Sequence, residues 1–421
     1  MKKYITLLSI ITALAVHADN DIHLNESLSG DYSGESHVDS SWGYAHVTEG
    51  NSVIFSNPDS KTNYTRANFG RTRLDSASFR SAILTNASFS GATLKDTDFT
   101  DATITGVSFD GVKSFTEAQL KSTKSYKEKN LSGITLSYND LSGWDFNGQN
   151  LWKARFQDAT LANTNFTNAD LTSAYFGGAI LTNAIFKGAD LTSASLGATT
   201  LTNADFTDAI VNGINFYGTV GFTKAQLKST KSYKEKNLSG VNFQYIDGLI
   251  DFSGLDFSGF NLTSADFYSA ILKDVDLTDA DVGNANFGGP LEIGITIAQL
   301  KSTKNYKEKN LSGINLRLKD LRGIDFSGFN LTSTGLSAVY LTNADFTDAT
   351  ITGASFAYSQ HRGFTEEQLK STKNYKEKNL SVINLSTNDL NGWDFNGQRL
   401  NEARFAVGKF SECDIDKYNI Q

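Results

Sequence analysis

The chain has 421 residues, a formal net charge of −8, two prolines and one cysteine. Because Cys413 is the only cysteine, no internal disulfide can form, and this excludes a small fold held together by disulfides. Two prolines leave room for long uninterrupted ladders of backbone hydrogen bonds, which proline would break. Hydrophobic residues make up 39% of the sequence, enough for one long core.

The N-terminus has the composition of a secretory signal peptide. Lys2 and Lys3 precede an apolar stretch at 4–16, and the small residue Ala18 follows. This order predicts a signal peptide over residues 1–18, with cleavage after Ala18. No later stretch has the roughly 18 apolar residues that a transmembrane helix needs. We therefore expect an exported protein without a transmembrane segment, located in a periplasm, at the cell surface or outside the cell.

Residues 19–63 differ in composition from the rest of the chain. They are rich in Ser, Gly and Asn, with Trp42, Tyr44 and Phe55 interspersed. We expect short strands that form an N-terminal β-rich cap, since the open end of a repeat protein has to be covered.

From Phe69 onward, in five blocks, a large apolar residue, mostly Leu or Phe, recurs at every fifth position, commonly with Ala, Thr or Val two residues earlier. Between Phe243 and Phe252 we interpret the spacing of nine as two units with one residue missing. A period of five fits neither an α-helix nor a flat strand, so it indicates a repeat architecture. We expect the recurring large residues to form interior ladders; they include Phe69, Leu74, Phe79, Leu84, Phe89, Phe146, Phe156, Phe166, Phe176 and Phe186.

Segments such as ANFGR, AILTN, ADLTS and ADFTD resemble the A(D/N)LXX units of the pentapeptide repeat family. The resemblance covers residues 64–421 apart from four inserts. It implies that four units form one square coil of a right-handed quadrilateral β-helix, with the large and small residues pointing inward. The predicted fold class is therefore an all-β solenoid with an N-terminal cap and four short helical inserts.

The four inserts, at 115–130, 222–237, 295–310 and 364–379, are near-copies of one sequence, TEAQLKSTKSYKEKNL in the first. Each copy has Thr followed three residues later by Gln, as in Thr116 and Gln119. This spacing is typical of a capping box at the start of a helix. We expect about two helical turns followed by an exposed lysine-rich turn.

Phe alternates with Leu along the repeat, which places the phenylalanines on two opposite sides of a four-sided coil. An insert has to use an even number of sides to keep this order. Tyr126 lies five residues before Leu131, in phase with the repeat, so we expect Phe115 and Tyr126 to occupy one side each. The same holds for Tyr233, Tyr306 and Tyr375 in the other inserts. Counting sides then predicts one continuous β-helix whose inserts lie on one side or on two adjacent sides.

Charge separates the inserts from the coils. Over residues 116–130, 223–237, 296–310 and 365–379 the net charge is +10, and the rest of the mature chain is then −20. Two interpretations of the insert lysines stay open: solvated turns, or a site for an anionic partner such as a surface polysaccharide or lipid headgroups. The residues concerned are Lys121, Lys124, Lys127, Lys228, Lys231, Lys234, Lys301, Lys304, Lys307, Lys370, Lys373 and Lys376.

The sequence contains no recognisable catalytic or metal-binding motif. Its histidines, including His37 and His46, do not have metal-ligand spacing, and the acidic stretch 274–281 lacks the glycine of an EF-hand loop. There is no GxSxG nucleophile motif. We expect no cofactor, no metal and no enzymatic activity.

These observations favour an exported, non-enzymatic scaffold or binding rod. Its partner would be a protein or an anionic surface polymer, and the open ends would allow an end-to-end homodimer. The family resemblance implies one alternative, DNA mimicry directed at a type II topoisomerase. The signal peptide and the basic inserts argue against it, and we expect no nucleic-acid partner. A second alternative is a polysaccharide-binding surface protein.

Overall fold

The computed structural model describes residues 61–245 and 250–405, together with 27–28, 30–31, 38, 46–47 and 53–56 of the N-terminal segment. The predicted signal peptide, residues 246–249 and residues 406–421, with Cys413, lie outside the described residues.

The regular elements are short. The strands are β1 (Ser27–Leu28), β2 (Gly30–Asp31), β3 (His46–Val47), β4 (Val53–Ser56) and β5 (Ser78–Phe79). The helices are α1 (Glu117–Ser122), α2 (Lys124–Lys127), α3 (Lys224–Ser229), α4 (Lys231–Lys234), α5 (Ile297–Ser302), α6 (Lys304–Lys307), a 3₁₀ helix (Gln360–Arg362), α7 (Glu366–Ser371) and α8 (Lys373–Lys376). Elsewhere the repeat consists of single-residue parallel bridges separated by turns.

The N-terminal strands pair in parallel. β1 pairs with β3, and β4 lies between β2 and β5. Phe55 of β4 is fully buried, and its ring stacks on that of Phe79 with centroids 4.5 Å apart. The segment expected to form a cap therefore contains paired strands, and β4 covers the first coil.

The coils repeat every twenty residues. Arg155 pairs with Tyr175, and Tyr175 pairs with Ser195, all in parallel. The amide of Phe156 donates to the carbonyl of Tyr175 at 2.7 Å, and the amide of Tyr175 donates to the carbonyl of Ala154 at 2.9 Å. Since the sequence repeats every five residues, a register of twenty means four sides to each coil, as predicted.

The interior consists of stacked side chains. Phe69 stacks on Phe89 at 4.9 Å and Phe79 on Phe99 at 5.5 Å, while Phe79 and Phe89 meet edge to face at 5.3 Å. The two phenylalanine ladders thus rise on opposite sides and meet in the middle, in the geometry that aromatic rings prefer. All the predicted ladder residues are fully buried: Phe69, Leu74, Phe79, Leu84, Phe89, Phe146, Phe156, Phe166, Phe176 and Phe186.

The polar positions of the repeat have specific backbone roles. In many units the Asn or Asp before the large residue accepts a hydrogen bond from the amide two residues later, as Asp205 does from Thr207 at 2.8 Å. This local Asx turn pairs an amide that makes no bond to the next coil. The second residue after the large one has a positive φ, as in Asn163 (φ 59°) and Gly188 (φ 66°). Gly, Asn, Asp and Ser are frequent there because they enter the left-handed region at low cost.

The described chain forms two compact units. The first comprises Met1–Val211 and Thr219–Lys231, and the second comprises Asn212–Gly218 and Ser232–Gln421. Each contains stacked coils of the kind described above. That residues 64–421 form one continuous β-helix stays a prediction.

The structure corrects the count of sides between Phe243 and Phe252 in the second unit. The nine-residue spacing was interpreted as two sides with one residue missing. Instead, the two rings are direct neighbours, edge to face at 4.9 Å, and the amide of Leu238 donates to Asn261. Asn237 pairs with Asn261, so this coil has four sides and is four residues longer than a regular coil of twenty.

Candidate binding surfaces

Each insert enlarges a single coil. Ser108 pairs with Thr135 in the first unit, 27 residues later instead of twenty, and in the second unit Asn286 pairs with Asn315 and Ser355 with Asn384 after 29 residues. The coils on both sides of these three inserts keep the register of twenty. The prediction that the inserts do not interrupt the stacking is correct for these three coils.

The structure corrects which side chain of the insert fills the core. Phe115 stacks on Phe109 with centroids 4.6 Å apart, as expected for one of the two sides. Leu120, not Tyr126, is the fully buried residue on the other side. Tyr126 is half-buried at the coil edge, and its hydroxyl donates to the carbonyl of Asp145 at 2.7 Å. The other inserts agree, with Leu227, Leu300 and Leu369 buried and Tyr233, Tyr306 and Tyr375 half-buried.

The predicted capping box is present in all four inserts. In the first insert the amide of Gln119 donates to the Thr116 hydroxyl at 3.2 Å, and Oε1 of Gln119 accepts from the Thr116 amide at 2.8 Å. The same glutamine donates from Nε2 to the carbonyls of Leu94 and Thr97, both at 2.8 Å. One side chain thus closes the helix N-terminus and fixes the insert to the preceding coil.

The insert also replaces a hydrogen bond that the ladder loses. The amide of Ile104 would normally donate to a carbonyl of the next coil, and here it donates to the Ser125 hydroxyl at 2.9 Å. In the third and fourth inserts Asn305 and Asn374 stand at this position, and their Oδ1 atoms accept from Val282 and Ile351 at 2.6 Å. Ser and Asn are interchangeable there because both supply an acceptor oxygen.

Within each unit the inserts lie on the same side of the coil. In the first unit, Nε2 of Gln119 donates to the carbonyl of Leu94, and Nε2 of Gln226 donates to that of Leu201. Between these two inserts runs a row of outward residues that parallel bridges align: Asp140, Thr160, Ile180 and Thr200. In the second unit, Gln299 and Gln368 bond in the same way to Leu272 and Leu341.

Many of the insert lysines have partners within the molecule. Lys127 reaches Asp101 at 2.7 Å, Lys307 reaches Asp279 at 2.6 Å and Lys376 reaches Asp348 at 2.7 Å, always an aspartate of the preceding coil. The hydrogen bond from Lys127 lowers the pKa of Asp101. Further ion pairs in the described inserts are Lys121 with Glu117, Lys370 with Glu366, Lys304 with Asp281, Lys124 with Glu128 and Lys373 with Glu377. These groups lie at the surface, so solvent screening leaves each pair only a small contribution to stability.

The charges of the described coils and inserts cancel. Residues 61–245 and 250–405 contain 34 Lys and Arg residues and 34 Asp and Glu residues. Residues 19–60 contain eight acidic residues and no Lys or Arg. The expected excess of acid over the repeat is therefore compensated by the inserts, and most of the negative charge of the mature chain belongs to the N-terminal segment.

A buried lysine closes the loop before the third insert. Lys319 is 1% exposed, and its ammonium donates to the carbonyls of Gly289 and Pro290 at 3.0 Å and of Ile293 at 2.7 Å. Burial lowers its pKa to about 8. The equivalent residues near the first and fourth inserts, Asn139 and Asn388, donate in a similar way to Phe109 and Phe356.

Sequence reasoning missed a strip of three tyrosines in the second unit, which we call the tyrosine strip: Tyr217, Tyr245 and Tyr268. The centroids of Tyr217 and Tyr245 are 5.6 Å apart, and those of Tyr245 and Tyr268 are 6.0 Å apart. Tyr217 is 47% exposed and Tyr245 is 44% exposed. Desolvation, followed by the neighbouring Tyr268 and Tyr217, raises the pKa of Tyr245. The sequence signal was a tyrosine one residue after Phe216 and Phe267 and two residues after Phe243, but the enlarged coils hide the alignment.

Among the described residues, no three His, Cys, Asp or Glu side chains come together in a way that could hold a metal ion. Nor does any helix in this part of the chain have the length and apolar character needed to cross a membrane. Of the histidines, His361 is exposed at the end of the 3₁₀ helix.

The model of the Pentapeptide repeats family matches eight copies, at residues 63–101, 72–111, 130–168, 150–188, 184–220, 250–289, 310–348 and 320–357. These matches cover more than half of the sequence and leave out the inserts. The chain belongs to the pentapeptide repeat family, and its fold is the right-handed quadrilateral β-helix of that family.

Several solved structures are similar to parts of this chain, at low identity and low TM-score. QnrB1, a plasmid-mediated fluoroquinolone resistance protein, is 16% identical, with 67% of this chain and 94% of that chain covered and a TM-score of 0.20. HetL, involved in heterocyst differentiation regulation in Nostoc sp. strain PCC 7120, is 19% identical, with 75% and 90% covered and a TM-score of 0.13. A pentapeptide repeat protein from the Arabidopsis thaliana thylakoid lumen is 25% identical, with 38% and 71% covered and a TM-score of 0.16. No curated protein matches the sequence significantly.

Proposed function

We propose that the protein is a non-enzymatic scaffold that binds a macromolecular partner through its outward side chains, at or beyond the cell envelope. One observation carries this proposal. The inside of each coil is filled by stacked Leu and Phe side chains, so every group able to recognise a partner lies on the outer surface. Parallel bridges hold these groups in rows, with one residue per coil and about 4.8 Å between coils.

Export rests on the N-terminal sequence, since Lys2, Lys3, the apolar stretch 4–16 and Ala18 have the order of a cleavable signal peptide. The test is fractionation of cells that express the chain with a C-terminal tag, followed by mass spectrometry of its N-terminus. We expect a form that begins at Asp19 outside the cytoplasmic fraction. A chain that retains residues 1–18 in the cytoplasm would contradict the proposal.

The charge distribution disfavours DNA mimicry as the function. A DNA mimic needs an acidic surface, whereas residues 61–245 and 250–405 have equal numbers of acidic and basic residues. In addition, Lys127, Lys307 and Lys376 each cover an aspartate of the coil surface. We expect the protein, added in equimolar amounts, to leave DNA supercoiling by gyrase unchanged. Inhibition at that ratio would favour the topoisomerase alternative instead.

A further inference from the structure

The tyrosine strip is an exposed aromatic surface on a fold that buries most of its rings. Tyr217, Tyr245 and Tyr268 belong to three successive coils of the second unit, on the side of Phe216, Phe243 and Phe267. Rings that are amphipathic and partly exposed in a row are typical of recognition surfaces. Tyr245 lies between the other two rings and contacts both of them.

A row of amides and one carboxylate runs beside the tyrosine strip. Asn242, Asp266, Asn286 and Asn315 occupy the position before the large residue in four successive coils, and parallel bridges align them. We call this set the amide row. Nδ2 of Asn286 and Nε2 of Gln244 both donate to Oδ2 of Asp266, the first at 3.1 Å. The carboxylate is thus held by neutral donors in the plane of the surface.

The amide row keeps donors directed to solvent. Oδ1 of Asn242 accepts from the amide of Gln244 at 2.9 Å, and Oδ1 of Asn315 accepts from that of Arg317 at 3.0 Å. Within the described part of the second unit, the Nδ2 groups of these two asparagines donate to no other residue. Each is therefore available to bond a ligand hydroxyl.

The surface next to the last ring is flat. Gly288 follows Tyr268 in the next coil, and a Cβ added at Gly288 would lie 3.2 Å from Cδ2 of Tyr268 and 3.1 Å from Oδ1 of Asn286. Any side chain there would push against the ring and the amide row. Glycine thus leaves an open path along the tyrosine strip.

We propose that the tyrosine strip and the amide row bind an uncharged, extended polysaccharide that lies along the stacking direction of the coils. This proposal rests on the proposed binding function and names the class of partner. A sugar ring has one apolar face, which packs on an aromatic ring, and hydroxyl groups at its edge, which exchange hydrogen bonds with amides and carboxylates. The ring centroids lie 5.6 and 6.0 Å apart and the ring planes are inclined by 79° and 53°, so the tyrosine strip offers a sugar chain both ring faces and ring edges.

Other classes of ligand fit this surface less well. A nucleic acid or an acidic polysaccharide would bring negative charge next to Asp266, which has only neutral hydrogen-bond donors around it. A protein partner of ordinary affinity needs roughly 800 Å² of surface on each side, and three half-exposed rings on consecutive coils offer much less. The polar row beside the rings also favours hydroxyl groups over an apolar protein surface.

The test is affinity electrophoresis of the mature chain through native gels that contain hydroxyethyl cellulose, galactomannan or soluble starch. We expect retardation by at least one of these polymers. The substitution Tyr245→Ala should weaken the retardation, with an apparent Kd at least tenfold higher, and Asn242→Ala should weaken it less. The matched control is Tyr358→Ala, because Tyr358 lies in the same unit, is 55% exposed and has no aromatic partner in the described chain. Both tyrosines have a positive φ, 54° and 63°, so the two substitutions change the backbone equally.

Retardation in none of the three gels would overturn the polysaccharide proposal, and so would retardation that Tyr245→Ala leaves unchanged. Neither result bears on export, which the N-terminus of the mature chain reports separately. Near-ultraviolet circular dichroism, which reports the packing of the buried rings, should be the same for Tyr245→Ala and Tyr358→Ala apart from the lost tyrosine. A loss of signal in both variants, with equal loss of binding, would show that the tyrosine strip has no specific role.

Discussion

At the scale of single residues, the pentapeptide pattern assigns a separate physical task to each position. The large residue fills the core, the small one before it leaves space for the neighbouring ladder, and the Asn or Asp pairs a local amide, as Asp205 does for Thr207. The last position takes up the left-handed turn at the corner, as at Gly188. Lys319 departs from this pattern, because it places an ammonium at a position where Ala or Thr is usual.

Lys319 should make stability depend on pH in the alkaline range. The buried amine has a pKa of about 8, against 10.5 for its ordinary value. Between these values the unfolded chain holds more protons than the folded chain, so the free energy of unfolding should rise with pH across this window. Lys319→Met should abolish this rise. Below the window it should cost about 1–3 kcal/mol, since three carbonyl oxygens lose their donor. Urea unfolding below and within the window measures both effects.

The control for Lys319→Met is Lys273→Met, which removes an exposed lysine of the same unit. This variant should keep the rise in stability at alkaline pH. An unfolding free energy of Lys319→Met that rises with pH as steeply as that of the unchanged chain would contradict the assignment to Lys319.

At the scale of elements, the insert is a clamp between coils. Gln119 bonds the coil before it, and Tyr126 bonds the coil after it through the carbonyl of Asp145. The repeated Thr, Gln, Leu and Tyr of the insert thus each have a structural partner within the protein. This geometry explains why these residues recur in all four inserts.

Within the insert, Leu120→Ala should destabilise the protein far more than Tyr126→Phe. The leucine is fully buried, and its truncation leaves a cavity that costs about 2–5 kcal/mol. The tyrosine loses one hydrogen bond at the coil edge, worth about 1 kcal/mol. Equilibrium unfolding in urea compares the two variants. Equal losses for both, or a larger loss for Tyr126→Phe, would contradict the placement of Leu120 in the core.

The sequence was sufficient to predict the coils but not the interior of the inserts. The five-residue period determines which residues point inward, because each coil repeats the same backbone conformation. Inside an insert the backbone is helical, so five residues no longer correspond to one side of the coil. The five-residue spacing between Tyr126 and Leu131 therefore could not predict that Tyr126 is only half-buried. The same limit applied between Phe243 and Phe252, where only the contact of the two rings shows that the nine-residue spacing spans a single step between sides. The tyrosine strip crosses two enlarged coils, the one with the second insert and the one between Phe243 and Phe252. Its alignment therefore could not be predicted from the five-residue period.

At the scale of the whole molecule, the distribution of charge separates the N-terminal segment from the repeat. The eight acidic residues of 19–60 carry most of the net charge, while the described coils and inserts are balanced. A polypeptide with a balanced surface has little long-range repulsion between copies. Protection of the apolar ends of the stacked coils therefore matters more than charge for keeping the chains apart.

Disruption of β4 should cause self-association through the N-terminal end of the first unit. Phe55 stacks on Phe79 at 4.5 Å and contacts Tyr64 at 5.9 Å, so Phe55→Asp would place a carboxylate among buried rings and displace the strand. The uncovered coil would then offer its apolar interior and unpaired backbone groups to a second copy. Light scattering after size exclusion should show a higher mass than for the unchanged chain. Tyr138→Asp is the control, because Tyr138 is 60% exposed and its replacement uncovers no core. An unchanged mass for Phe55→Asp would mean that β4 is not what keeps this end from associating.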